Sequence, residues 1–317
     1  CEQCRGWLLG GFTFGMLGHS QWRWTTLLQT ADIAGSVGLG GLVMLVAATG
    51  LELLAWRFPG NLGTRPVRTR AVLQRAVLAV GLLAAAVGYG RWRLATTPPA
   101  SPRPLDVLLV QGSIDTELKH DPAAVADVTS HYDRLTRDGL AGGPRPDLIV
   151  WPETMWRVGL LEIDPAEELP ESLVTSLLAD RPGEPPRSAA ERQAACRARL
   201  EAERLEPLAR YAQAYGSAWL VGVDKQRITP RAAAGYENFN LAVLLDAEGR
   251  LIGEYAKMHP VLFGEYVPLA DRFPWLYQLT PLPAGLTAGT APLVARVAGQ
   301  RVTATICYET ALPAAVR

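Results

Sequence analysis

Val302-Thr303-Ala304-Thr305-Ile306-Cys307-Tyr308-Glu309 is the stretch on which the reading of this sequence turns. An alternating apolar run stops at a cysteine followed by an aromatic residue and a carboxylate, the way a strand presents a nucleophile at its carboxyl end before a helix begins. A working thiol needs a neighbouring base or cation, and the oxyanion formed when it attacks a carbonyl needs stabilising donors. Two upstream segments can supply these. Trp151-Pro152-Glu153 follows the apolar run Asp147-Leu148-Ile149-Val150, and Tyr255-Ala256-Lys257 closes a third extended segment. Alone, Cys307 would read as a small core hydrophobe. Glu153, Lys257 and Cys307 together, all at strand ends, place three complementary titratable groups where α/β sheets gather their sites. Glu153 is then the candidate base, Lys257 the candidate cation, and the N–H of Tyr308 a candidate oxyanion donor.

Around this stretch the chain reads as soluble α/β. Strands are expected at Asp106–Gln111, Asp147–Trp151, Trp219–Val223, Leu241–Asp246 and Leu251–Tyr255, with a hairpin Pro292–Val297/Arg301–Ile306. Helices are expected at Pro122–Arg137 and Arg187–Tyr215. Hairpins mixed with strand-helix alternation argue for a mixed sheet covered by helices. Residues 162–190 are acidic, contain prolines and lack an apolar period, so they read as a surface excursion near the site. Cys196 lies in a polar helix and reads as structural.

The first hundred residues differ in kind. Hydrophobic residues make up 49% of the 317, and the excess is concentrated here. Ile33 to Leu51 carries no charge, and Ala71 to Tyr89 is apolar except for Gln74 and Arg75 at its start. Each suffices to cross about 30 Å of hydrocarbon, so transmembrane helices are expected near 33–54 and 71–90. Trp22 and Trp24 fall where an interfacial belt would put them, and small residues from Gly35 to Gly41 suit helix packing. Arg57, Arg65, Arg68 and Arg70 lie between the spans and are expected to face the cytoplasm, which sends the end of the second span to the opposite side. The proline-rich run Thr96–Pro104 is a stiff linker. The expected organisation is a membrane part over 1–95, a linker over 96–104 and a catalytic domain over 105–317. The chain starts at Cys1 rather than Met and stops soon after Cys307, so both ends read as cut.

Lys plus Arg equals Asp plus Glu at 31 each, so there is no basic field for nucleic acid. Cys1 and Cys4 have the C-x-x-C spacing but no second pair or histidine partner at ligand distance, so no metal site is read there and no cofactor is expected. His19 and His131 read as surface or interfacial residues, and His259 as a hydrogen-bonding neighbour of the site.

Cys307-Tyr308-Glu309, Trp151-Pro152-Glu153 and the run Lys257-Met258-His259-Pro260-Val261-Leu262-Phe263-Gly264-Glu265-Tyr266-Val267-Pro268 resemble the nitrilase superfamily, and more narrowly its membrane-bound branch, the apolipoprotein N-acyltransferases. Val110-Gln111-Gly112-Ser113-Ile114 with Lys119 resembles the opening of that family's catalytic domain, and Gln29–Gly38 the start of a membrane helix. The resemblance implies a nitrilase-like α-β-β-α sandwich, incomplete at its C-terminus, preceded by transmembrane helices. It implies Glu153 as base, Lys257 as cation and Cys307 as nucleophile, with Glu265 orienting Lys257 or the incoming amine, Tyr308 and Glu309 supporting the turn, and Asn240 near the site. It implies a phospholipid acyl donor, a diacylglyceryl-lipoprotein acceptor, a thioester between them, and a multi-pass monomer of the bacterial inner membrane with its site on the extracytoplasmic side. Pro260, Leu262, His120, Phe239 and Leu241 depart from the family's usual residues, which bears on substrate preference. A membrane-tethered amidase using water as acceptor fits the same three residues, and a non-catalytic scaffold would dispense with them.

Overall fold

The computed structural model describes residues 2–6, 13–58, 68–96, 103–115, 118, 121–178, 188–232, 234–270, 272–280, 282 and 285–312. Lys119, His120, Arg65, most of the proline-rich linker, and residues 179–187 of the 162–190 excursion lie outside them. The chain divides into two compact units, one made mainly of Cys1–Pro102 and the other mainly of Arg103–Thr310.

The first unit is built on two helices, α1 (Ala31–Arg57) and α2 (Thr69–Ala95), of 27 residues each. At 1.5 Å per residue each is about 40 Å long, and both are long and apolar enough to cross a membrane. Their apolar side chains, among them Ile33, Met44, Leu51, Val77 and Val80, are mostly exposed, unlike those of a soluble core helix. Polar pairs pin the hairpin at both ends. Asp32 accepts from Tyr89 Oη at 2.8 Å and Arg93 Nε at 3.0 Å, while Arg75 pairs with Glu52.

In the second unit, six strands form one sheet in the order β1 (Val107–Leu109), β2 (Leu148–Val150), β4 (Ala218–Ile228), β5 (Tyr236–Leu245), β6 (Leu251–Ala256), with β3 (Trp156–Ile163) also on β4. β1, β2, β3 and β4 pair in parallel, and β4, β5 and β6 antiparallel. Side-chain alternation gives the sheet two apolar faces. Ile149, Trp219, Val221, Val223, Leu241, Val243 and Leu245 meet α3 (Val125–Ala141) and α5 (Ala189–Tyr215) through Val128, Tyr132, Leu208, Ala212 and Tyr215. Trp151 and Trp219 pack edge to face there, 4.9 Å between centroids. On the other face Leu148, Ala218, Ala242, Leu244 and Tyr255 pack against the hairpin β7 (Val294–Val297)/β8 (Gln300–Thr303) and the segment carrying Ala304 and Ile306. Two sheets therefore lie face to face with helices outside the larger one, a nitrilase-like α/β arrangement; among the described residues the second sheet is this hairpin alone.

Several features differ from expectation. β3 fills a stretch in which no strand was expected, pairing with the polar half of β4. The 162–190 excursion is not irregular throughout: α4 (Glu171–Leu177) packs Val174 with Leu169 and the fully buried Cys196 of α5 in a satellite core. The last strand stops at Thr303 rather than Ile306, because the Ile306 N–H is taken by the Glu309 carboxylate instead of a neighbouring strand.

Candidate active site

Glu153, Lys257 and Cys307 each lie just beyond a strand, and the structure brings them together. Lys257 continues β6, its N–H held by the Asn240 carbonyl and its own carbonyl by the Gly289 N–H. Its side chain is 1% exposed, with Nζ 2.6 Å from Glu265 Oε1 and 3.3 Å from Glu153 Oε1. Burial opposes the ammonium, but the Glu265 hydrogen bond and the charges of Glu153 and Glu265 outweigh it, so the lysine is held above its ordinary value. Glu265 is fixed in turn by the Val261 N–H on Oε2 at 2.8 Å. Asn240 Nδ2 donates to Glu153 Oε1 at 2.6 Å. One carboxylate oxygen of Glu153 thus takes both the amide and the ammonium.

Cys307 opens a 3-10 turn, Cys307–Ala311, with φ of +53°. Thr154, next to Glu153, and Phe263, two before Glu265, are also left-handed at +55° and +58°. Every turn that carries a site residue thus contains a non-glycine residue in a conformation that costs about 1 kcal/mol or more, the kind of strain that clusters at functional sites. Solvent can reach Cys307, yet its surroundings desolvate the sulfur. That desolvation first, then the Glu153 charge, push the thiol above its ordinary range, against the opposing pull of Lys257 and the Tyr308 N–H. The resting group is therefore held as a thiol rather than a thiolate.

Beneath this lies Glu309, fully buried. Its Oε2 accepts from Tyr255 Oη at 2.7 Å and Ile306 N–H at 2.8 Å, and its Oε1 from the N–H groups of Met258 and His259 at 2.8 and 2.9 Å. His259 Nδ1 lies 3.3 Å from the same oxygen. Glu309 therefore ties the cysteine turn to the residues just after Lys257. Tyr308 is buried beside it. Tyr255 was not among the expected site residues; its position two before Lys257 on one strand, hence on the same face, is the signal that could have found it. His131, read as a surface or interfacial residue, is half-buried and places Nε2 3.1 Å from the Gly112 carbonyl, which holds the loop after β1. Among the described residues no group of three or more His, Cys, Asp or Glu side chains gathers as metal ligands.

The charges around the sulfur predict opposite titration shifts. Glu153→Gln removes a charge that raises the thiol and should move Cys307 ionisation to lower pH; Lys257→Met removes one that lowers it and should move it to higher pH. The rate of Cys307 alkylation by iodoacetamide against pH, read by mass spectrometry on the Cys307 peptide, checks both signs. Shifts in the same direction would contradict this electrostatic arrangement.

Residues 1–49 match the family model described as Apolipoprotein N-acyltransferase N-terminal domain, and residues 131–317 match Carbon-nitrogen hydrolase. Apolipoprotein N-acyltransferase of Geobacter metallireducens is 28% identical over 312 residues, covering 98% of this chain and 50% of that protein. The protein of the same name from Methylococcus capsulatus is 31% identical over 310 residues, covering 97% and 49%. The chain thus spans about half the length of the curated relatives it matches. A solved CN-hydrolase superfamily protein from Xanthomonas campestris aligns with a TM-score of 0.36 and 20% identity over 68% of this chain and 57% of its own. With the Carbon-nitrogen hydrolase match extending over more than half of its residues, the chain belongs to the carbon-nitrogen hydrolase family.

Proposed function

We propose that this chain carries the catalytic machinery of an apolipoprotein N-acyltransferase, moving a fatty acyl group from a phospholipid to the N-terminal amine of a diacylglyceryl-cysteine lipoprotein through a thioester on Cys307. The observation that carries the reading is the ion pair joining Glu153, after β2, to the buried Lys257, after β6, with Cys307 on a turn that the Glu309 carboxylate ties to the residues following Lys257. The match of residues 1–49 supports the choice of substrates.

In the first step Glu153 accepts the thiol proton as sulfur attacks the ester carbonyl. The C–S bond forms, and the oxyanion is stabilised by the Lys257 ammonium and the Tyr308 N–H. Collapse breaks the ester C–O bond, and Glu153 returns the proton to the departing lysophospholipid alkoxide. In the second step the amine attacks the thioester, Glu153 takes its proton, the C–S bond breaks and the sulfur is reprotonated, leaving an amide. Glu265 holds Lys257 in place, Asn240 holds Glu153, and Tyr308 and Glu309 support the nucleophile's turn.

In this scheme residues 1–95 form a membrane part, 96–104 a linker and 105–317 the catalytic domain. α1 and α2 hold the site at the surface where both lipid substrates reside, replacing a search in three dimensions by local encounter. The arginines between the helices orient that loop toward the cytoplasm and the catalytic domain outward from the inner membrane.

Incubating the protein in bilayers with acyl-labelled phospholipid and a diacylglyceryl lipopeptide should give N-acylated peptide and lysophospholipid in equal amounts. Label released as free fatty acid, with no acylated peptide, would instead identify a hydrolase with water as acceptor.

A further inference from the structure

β2 and β3 pair one after the other with the same edge of β4. Val150 lies opposite Leu220, and Trp156 opposite Val223. The turn Trp151–Met155, with Glu153 at its middle, therefore leaves β4 and rejoins it across only Val221 and Gly222. Val221 is buried on the helix-covered face, which puts Gly222 on the other. A Cβ on Gly222 would stand 2.5 Å from Pro152 O, 2.6 Å from Glu153 Cα and 2.6 Å from Thr154 N. These are backbone atoms of three consecutive residues, and no side-chain rotation can move them aside. Thr154 is already left-handed, so the turn has little slack. Two residues along β4, Asp224 lies opposite Asn240 of β5, and Asn240 is the residue that donates to Glu153 Oε1 at 2.6 Å. Asn240 is 5% exposed, and its Oδ1 is buried with no hydrogen-bond partner among the described residues. The hydrogen bond to the Glu153 carboxylate thus orients the Asn240 amide.

We propose that Gly222 and Asn240 are positioning residues that together seat Glu153: the bare Gly222 lets the turn lie against β4, and the Asn240 amide then holds one carboxylate oxygen so that the carboxylate stands beside Cys307. This rests on reading Glu153 as the base.

Gly222→Ala should lift the turn, and a displacement of about 1 Å at a reacting group costs on the order of a hundredfold in turnover. As the Glu153 charge moves away from the sulfur, Cys307 alkylation should shift to lower pH, the direction given by Glu153→Gln. In the Glu153→Gln background Gly222→Ala should shift it no further. Loss of turnover with the alkylation profile left in place would mean general damage and overturn the proposal. If Gly222→Ala does not fold, Asn240→Ala, which leaves the backbone path unchanged, decides: turnover should fall, and alkylation should move to lower pH only where Glu153 is present. Wild-type turnover and profile in Asn240→Ala would end it. Glu153→Gln tests the underlying reading separately. If that variant retains turnover, the base assignment fails; if it is inactive while Gly222→Ala matches wild type in both measurements, only the seat is wrong.

Discussion

Cys307→Ala is expected to lower acyl transfer by roughly 10^6-fold, the scale seen when the nucleophile of a cooperating catalytic set is removed, or about 8 kcal/mol of transition-state stabilisation. Cys196 is buried in the satellite core, and Lys257 is engaged by two carboxylates, so neither is available as a substitute nucleophile. Activity and stability should also separate at this position. Because φ is +53°, alanine keeps the left-handed strain of the native residue while glycine relieves it. Cys307→Gly should therefore be more stable than Cys307→Ala by roughly 0.5–1 kcal/mol, after allowing for glycine's greater freedom in the unfolded chain. Both should be inactive. Assay and thermal melts of the two variants side by side check the pair; Cys307→Ala with wild-type transfer, or glycine less stable than alanine, would contradict it.

The second large effect is expected at Glu309. Glu309→Ala leaves the N–H groups of Ile306, Met258 and His259 and the hydroxyl of Tyr255 without their shared acceptor. A buried donor left unpaired costs about 1–3 kcal/mol, and relaxation of neighbouring donors together brings the total to the order of 3–5 kcal/mol. Turnover should fall on the order of a hundredfold as well, because the same carboxylate joins the Cys307 turn to the end of Lys257's strand. Burial alone would raise the Glu309 carboxyl, but the Ile306 N–H, the Tyr255 hydroxyl and the N–H groups of His259 and Met258 bring it below its ordinary 4.5. With the folded value depressed, its contribution to stability is fully present above the unfolded carboxylate value and is lost as pH falls through the folded one. The difference in Tm between wild type and Glu309→Ala should hold from pH 7 to about 5 and narrow below 4.5. A gap that stays constant to pH 3 would show that the ionised carboxylate is not what holds the turn.

The parts of this fold that could be read from sequence are those whose burial leaves an unbroken apolar signature. β2, the first half of β4 and the second half of β5 are packed against one or both apolar faces, so their residues are apolar in runs. The structure extends β4 to Ile228 and starts β5 at Tyr236, beyond what was legible. There the strands carry Lys225, Arg227 and Glu237, stabilised by charge pairing and by Phe239, whose ring has Lys225 and Arg227 within 5.5 and 4.9 Å. β3 was hidden for the same reason, since Glu162 pairs with Lys225 at 2.6 Å across the strands and breaks the apolar alternation. α4 was hidden by its size: Val174 and Leu169 bury themselves on α5 without the repeated turns that make a helical period visible.

The site was legible where a titratable residue closes an apolar run. Glu153, Lys257 and Cys307 stood out on that ground, and they do converge. Gly222 could not stand out, because it acts through the absence of a side chain, and Tyr255 was offered only by its place two residues before Lys257 on the same strand face. Their roles follow from the register that sets β4 under the Glu153 turn and from the carboxylate of Glu309 on which Tyr255 ends.

The most direct test is the intact mass of the protein after exposure to phospholipid without acceptor. The account predicts one added acyl group, found on the Cys307 peptide, released by neutral hydroxylamine and discharged as amide when the lipopeptide amine is supplied. An unmodified Cys307 during active transfer, or an acyl group on another residue that is passed to the amine, would contradict it.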